Sequence, residues 1–147
     1  MKHRIQLTVV LGFSLVFGTA HADQSVSWGD YTVHYNAFST DTLTPRVAQA
    51  YGIKRSRNRA LVNIVVTKGE SQGDAVPMAA EVTGAGVNLT GQLKTLSFRQ
   101  INEDGAIYYI ADVSVDNGET LDFKIEATPD GLSKPFLVKF RKQFFTQ

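Results

Sequence analysis

From Trp28 to the C-terminus, apolar and polar residues alternate with a period of two in run after run, and turn-forming residues separate the runs at short intervals. Only a pleated strand sends successive side chains to opposite sides, so this pattern confines the chain to strands with at least one buried face. Tyr31, Val33, Tyr35 and Ala37 share one face of the first run; Thr32, His34, Asn36 and Phe38 share the other. Ala60, Val62, Ile64 and Val66 form the next stripe, and Leu61 and Val65 opposite them mark a central strand covered on both sides. Ile107, Tyr109, Ala111, Val113 and Val115 follow, then Leu121, Phe123, Ile125 and Ala127, and last Phe136, Val138 and Phe140.

Glu103-Asp104-Gly105, Asp116-Asn117-Gly118 and Pro129-Asp130-Gly131 each place Asp or Asn ahead of Gly, where a turn needs positive φ. The strands from Ala106 onward are therefore expected to form a meander of antiparallel hairpins. Residues 79–90 and 94–102 alternate less regularly, and Gly84 and Gly86 suggest a bulge or bend. One segment breaks the strand pattern. Thr44 can cap, Pro45 suits a first helical position, and Gly52 can end the turn, which predicts a short helix over about residues 44–51. About seven strands with one short crossover helix predict an all-β, antiparallel, immunoglobulin-like β-sandwich. A membrane barrel fits poorly, because eight spanning strands of about 10 residues would leave little chain for turns.

The N-terminus follows a different logic. Met1-Lys2-His3-Arg4 is a basic leader, Ile5 to Phe17 an almost wholly apolar run, and Ala20-His21-Ala22 a small-x-small cleavage site, the order of a secretory signal peptide. The apolar run is short of the about 20 helical residues needed to cross a bilayer. Cleavage after Ala22 takes residues 1–22 from the 147 and leaves 125, a single domain over 23–147. It also removes Lys2 and Arg4 from 15 basic residues, so 13 face 14 acids. With no cysteine, the chain has neither a lipoprotein attachment site nor disulfides, and the expected address is the periplasm.

Gly29-Asp30-Tyr31, Val33 through Phe38, Leu43, Pro45, Val47-Ala48, Ala50 through Ile53, Arg55-Ser56 and Asn58-Arg59, with Ala106 through Tyr109 and Thr120-Leu121-x-Phe123 later, resemble an exported proteobacterial family, DUF4426. The resemblance spans nearly the whole mature chain. It implies an exported single-domain β protein, and transfers no active site.

After cleavage His34 is the one histidine left, so any site needing two imidazoles or a thiolate is excluded, and no cofactor is expected. No Gly-x-Ser-x-Gly elbow or phosphate loop is present. His34 beside Thr32 and Asn36 reads as an inert strand histidine; its alternative is a general base near Asp30, Ser39 or Asp41. The eight acids from Glu103 to Asp130 read as a solvated face, with Asp122 and Glu126 expected to pair across strands with Lys139 and Arg141. Asn88-Leu89-Thr90 matches a glycosylation acceptor and is read as accidental.

The most distinctive segment is Lys54-Arg55-Ser56-Arg57-Asn58-Arg59, four cations in six residues on an otherwise acidic body. Guanidinium forks beside Ser and Asn suit an anionic envelope component, such as a lipid phosphate, or an acidic partner protein. No aromatic is interleaved to stack bases, so nucleic acid is not expected. The sequence therefore predicts a non-catalytic binding or interaction module. A small hydrolase using His34 and an accessory subunit of an envelope complex are the alternatives.

Overall fold

The computed structural model describes residues 24–69 and 73–147; the leader expected over 1–22 lies outside them. Ten strands occur among the described residues rather than seven: β1 (Gln24–Trp28), β2 (Tyr31–Ser39), β3 (Arg59–Lys68), β4 (Val76–Pro77), β5 (Ala80–Asn88), β6 (Leu93–Leu96), β7 (Arg99–Glu103), β8 (Ala106–Ser114), β9 (Thr120–Pro129) and β10 (Phe136–Gln143). The extra three have physical causes. β1 offers only Val26 and Trp28 as apolar residues and β4 is two residues long, so neither shows a period. The 94–102 run is two strands, because the chain leaves one sheet at Ser97-Phe98 and enters the other.

Six strands form the first sheet, in the order β1-β2-β3-β8-β7 with β4 on β3; β10-β9-β5-β6 form the second. All recorded pairings are antiparallel. The result is an antiparallel β-sandwich. The expected meander is only half right. β9 and β10 do form a hairpin, but β8 belongs to the first sheet and β9 to the second, so Asp116-Asn117-Gly118 is a corner between sheets. At the β7–β8 hairpin, Asp104 (φ 49°) and Gly105 (φ 82°) form the two-residue turn whose positive φ at both positions matches strand twist.

Val33, Val62, Ile64, Val66, Phe123, Ile125 and Val138 fill the space between the sheets. Gly84 and Gly86 are not bulges. The β5–β9 register runs unbroken through both, and a side chain at Gly86 would meet the Phe123 ring at 3.2 Å, so the glycine makes room for that ring. Phe123 in turn stacks on Phe140 at 4.8 Å. At the opposite end Trp28 stacks on Phe136 at 4.7 Å, holding the hairpin of β1 and β2 to β10.

A second cluster covers the outer face of the first sheet, as Leu61 and Val65 foretold. The β2–β3 crossover folds Leu43, Ala48 and Ile53 over Leu61, Tyr108 and Ile110. Its helix α1 (Pro45–Ala50) begins at the expected cap, where Val47 N–H donates to Thr44 Oγ1 at 3.2 Å. Gly52 (φ 64°) ends it, and Ile53 N–H returns to the Ala48 carbonyl at 2.8 Å.

Candidate functional site

The basic segment leaves this crossover along a fixed path. Thr40 is fully buried, and its hydroxyl accepts from Ser56 N–H at 2.9 Å while facing the carbonyls of Lys54 at 2.8 Å and Ser56 at 3.1 Å. The hydroxyl has one proton, so the two carbonyls share it. Arg55 Nε donates to the Leu43 carbonyl at 2.7 Å and its Nη2 to the Asp41 carbonyl at 3.2 Å, cross-bracing the loop. Ser56 Oγ accepts from Asn58 N–H at 3.1 Å. Arg59 binds Asp112 on β8, with Nε donating at 2.7 Å and Nη2 to the same oxygen. The Arg55, Ser56 and Arg59 side chains, with the Asn58 backbone, thus shape the segment. Lys54 and Arg57 are exposed; Arg57 lies 4.0 Å from Asp41 at the surface.

Thr40→Val is therefore expected to cost about 1–3 kcal/mol, since it strands a buried N–H and removes the proton shared by two carbonyls. Denaturant unfolding measures the loss, and faster amide exchange at Ser56 locates it.

Beside the segment lies a cleft of about 140 Å³, walled by Gly52, Ile53, Ser97, Arg99 and Asp112. Arg99, at the start of β7, donates to the Tyr51 carbonyl across it. That carbonyl is neutral, so the Arg99 charge is not cancelled there; the same holds for Arg55. Arg46 on α1 is exposed as well. The crossover thus carries Arg46, Lys54, Arg55 and Arg57 with Asp41, Arg59 follows at the start of β3, and the cleft is lined by Arg99 and Asp112. Arg99 is invisible in the sequence as a member of the group, because β7 reaches the crossover only through sheet pairing.

His34 sits mid-strand on the outer face of the first sheet, opposite in alternation to the buried Val33, with Nε2 3.4 Å from Thr67 Oγ1. It does not line the cleft. Asn88 is a turn residue: its Oδ1 accepts from Thr90 and Gln92, and its Nδ2 donates to Gln92 and, at 2.9 Å, to Glu119. Of the expected cross-strand pairs, Arg141 does bind Asp122, at 2.6 and 2.9 Å, and its hydrogen bonds hold the Asp122 carboxyl below its ordinary pKa. Lys139 instead faces Lys124 in register, and Glu126 faces Leu137. Glu119 departs from the solvated reading of the acids: its side chain is 8% exposed and its Oε1 takes the Lys94 ammonium at 2.8 Å.

The arrangement defines a class: a two-sheet antiparallel sandwich whose β2–β3 crossover covers one face and gathers cations around a small cleft. Within that class the chain belongs to the DUF4426 family, a domain of unknown function whose model matches residues 25–147. A crystallised DUF4426 family protein, PA0388 of Pseudomonas aeruginosa PAO1, is 36% identical, with a TM-score of 0.72 over 84% of this chain and 94% of its own. A copper-bound variant of FetP from uropathogenic Escherichia coli strain F11 shares the fold at 13% identity, TM-score 0.58, covering 84% of this chain and 95% of its own. As-isolated FetP, expressed in the periplasm of E. coli, is similar at 14% identity, TM-score 0.55, covering 84% and 94%. No curated protein matches the chain.

Proposed function

We propose that this protein is an exported, non-catalytic periplasmic binding module that recognises an anionic group at its basic crossover. The observation that supports this reading is that Arg99, which lines a polar cleft, and Arg55 in the adjoining basic segment spend their guanidinium hydrogen bonds on neutral carbonyls rather than carboxylates. Pockets that enclose small molecules run to about 300–1,000 Å³, whereas this cleft has room for a single carboxylate or phosphate carried by a larger partner. The leader and the cysteine-free chain support the periplasmic address.

Copper, named for FetP, finds a poor donor set here. Among the described residues no group of three or more His, Cys, Asp or Glu side chains is placed to hold a metal ion. Their imidazole is His34 and their thioether Met78, and the two lie on opposite sides of the first sheet, since Met78 packs into the core between the sheets. Soft thioether and imidazole ligands must converge to take copper.

The test is a titration with inorganic phosphate and with a glutamate-rich peptide, followed by amide NMR. Shifts should concentrate at Gly52, Ile53 and Arg99, and the Arg57→Gln/Arg99→Gln double variant should weaken binding by about tenfold, as for loss of one or two charge-assisted bonds. Shifts scattered over the surface, or unchanged in the double variant, overturn the reading.

A further inference from the structure

Three of the large apolar side chains left in solvent, Leu89 at 69%, Leu93 at 64% and Phe145 at 66% exposure, lie at the same end of the sandwich as the basic segment. Connectivity places them there. Val115 N–H, at the head of the link between sheets, donates to the Asn58 carbonyl at 2.8 Å; at the foot of that link Glu119 takes the Asn88 amide, at the base of the β5–β6 turn, and its carbonyl takes Phe144 N–H. The crossover, the β5–β6 turn and the C-terminal tail therefore form one rim. Single exposed leucines are ordinary, but three large apolar groups on a rim beside cations mark a contact surface.

The outer face of the second sheet is graded away from that rim. Leu89 caps the turn, and the first row across the strands is Leu93, Val87, Asp122 and Arg141. The next row, about 7 Å further on at two residues per step, sets Lys124 directly against Lys139. Like charges in register repel, and neither ammonium has an ion pair recorded among the described residues. Glu126 comes one row later and Glu81 one row beyond that. The order from the tip is the exposed leucines with the Asp122–Arg141 pair, then the two lysines, then Glu126 beside the exposed Leu137, then Glu81. Near the tip itself, Glu119 is paired with Lys94 and Asp122 with Arg141.

We infer that this rim docks on a bilayer surface rich in anionic phospholipid, with Leu89, Leu93 and Phe145 entering the acyl boundary and Lys124 and Lys139 meeting lipid phosphates. The inference rests on the reading of the basic crossover as an anion site, and places Lys54 and Arg57 on the flank that faces the same lipid. The sequence of polarities matches that of a bilayer interface, where hydrocarbon gives way to phosphate and then to water within about 15 Å. Lipid also explains why the apolar groups project from a turn and a tail: a bilayer receives projections, whereas a protein partner of these lysines alone would need no exposed leucines. Apolar contact and cationic attraction to anionic headgroups add in such docking.

The experiment is co-sedimentation of the exported chain with phosphatidylcholine vesicles, with and without phosphatidylglycerol. Binding is expected only with phosphatidylglycerol and should fall as salt rises from about 0.1 to 0.5 M, where screening shortens to a few ångströms. Leu89→Ser/Leu93→Ser and Lys124→Gln/Lys139→Gln should each weaken partition by about tenfold. The lysine variant should melt no lower than the parent, because it removes a repulsion. In a Leu89→Trp variant the added indole emission should shift to the blue on vesicle addition. No binding, equal binding to neutral vesicles, variants that partition like the parent, or capture by acidic peptide without vesicle binding overturns the inference. If phosphate still shifts Gly52 and Arg99 while vesicles fail, the lipid inference falls and the anion site stands.

Discussion

Phe123→Ala is expected to destabilise the fold by about 3–5 kcal/mol, the range for truncating a buried aromatic. Phe123 is 2% exposed, stacks on Phe140, meets Phe144 edge-on at 6.3 Å, and lies over Gly86. The cavity cannot be refilled from β5, because Gly86 has no side chain to offer, and the strand backbone is fixed on both sides by β9 and β6. Domains of this size are stable by only about 5–15 kcal/mol, so the variant should sit close to its unfolding threshold. Urea unfolding should show a lower midpoint at an unchanged slope. Phe140→Ala, at a half-buried edge position on β10, should cost distinctly less.

The second large effect concerns the ion pair at the rim. Glu119 Oε1 accepts from Lys94 Nζ and from Asp116 N–H at 2.9 Å, Oε2 accepts from Asn88, and Lys94 also donates to the Ser114 carbonyl at 2.7 Å. One carboxylate thereby joins β6, the β5–β6 turn, the end of β8 and the corner into β9. Burial by itself would raise the Glu119 pKa, but the hydrogen bonds from Lys94, Asn88 and Asp116, with the Lys94 charge, hold it below its ordinary 4.5. A carboxyl whose folded pKa is depressed stabilises the fold above its unfolded value and loses that contribution as pH falls through the folded one. Stability should therefore decline on acidification below about pH 4.5. Glu119→Gln should flatten this acid limb and cost about 2–4 kcal/mol at neutral pH, somewhat under the figure for a wholly buried pair because Lys94 keeps its carbonyl. A Lys94→Met/Glu119→Leu double variant should recover part of the loss. An acid limb unchanged in Glu119→Gln would show that other carboxylates control it.

Local chemistry was the legible part of this chain. The caps at Thr44 and Gly52, the Asp104-Gly105 hairpin and the two-sided burial of Leu61 follow from rules that act within a few residues. Partner choice was not legible, because a period of two tells which way a side chain points and not which strand lies alongside. This is why the Asn117-Gly118 signal suits a hairpin while the chain turns a corner there, and why alternation alone pairs Lys139 with a carboxylate while it faces Lys124. The site shows the same division. Lys54 to Arg59 stood out as a charge run, but Thr40 as its buried anchor and Arg99 as its neighbour came only with tertiary structure. Glu119 was read as solvated because it follows a turn, and turns are mostly at the surface.

The switching of the chain between sheets has a kinetic meaning. β3, the centre of the first sheet, gains its second long neighbour only when β8 arrives, some fifty residues later, and β5 waits nearly as long for β9. Neither half of the chain contains a complete sheet, so completing either one depends on pairings of high sequence separation, which slow folding. A chain cut short before β8 would lack an inner strand of each sheet, β8 in the first and β9 in the second.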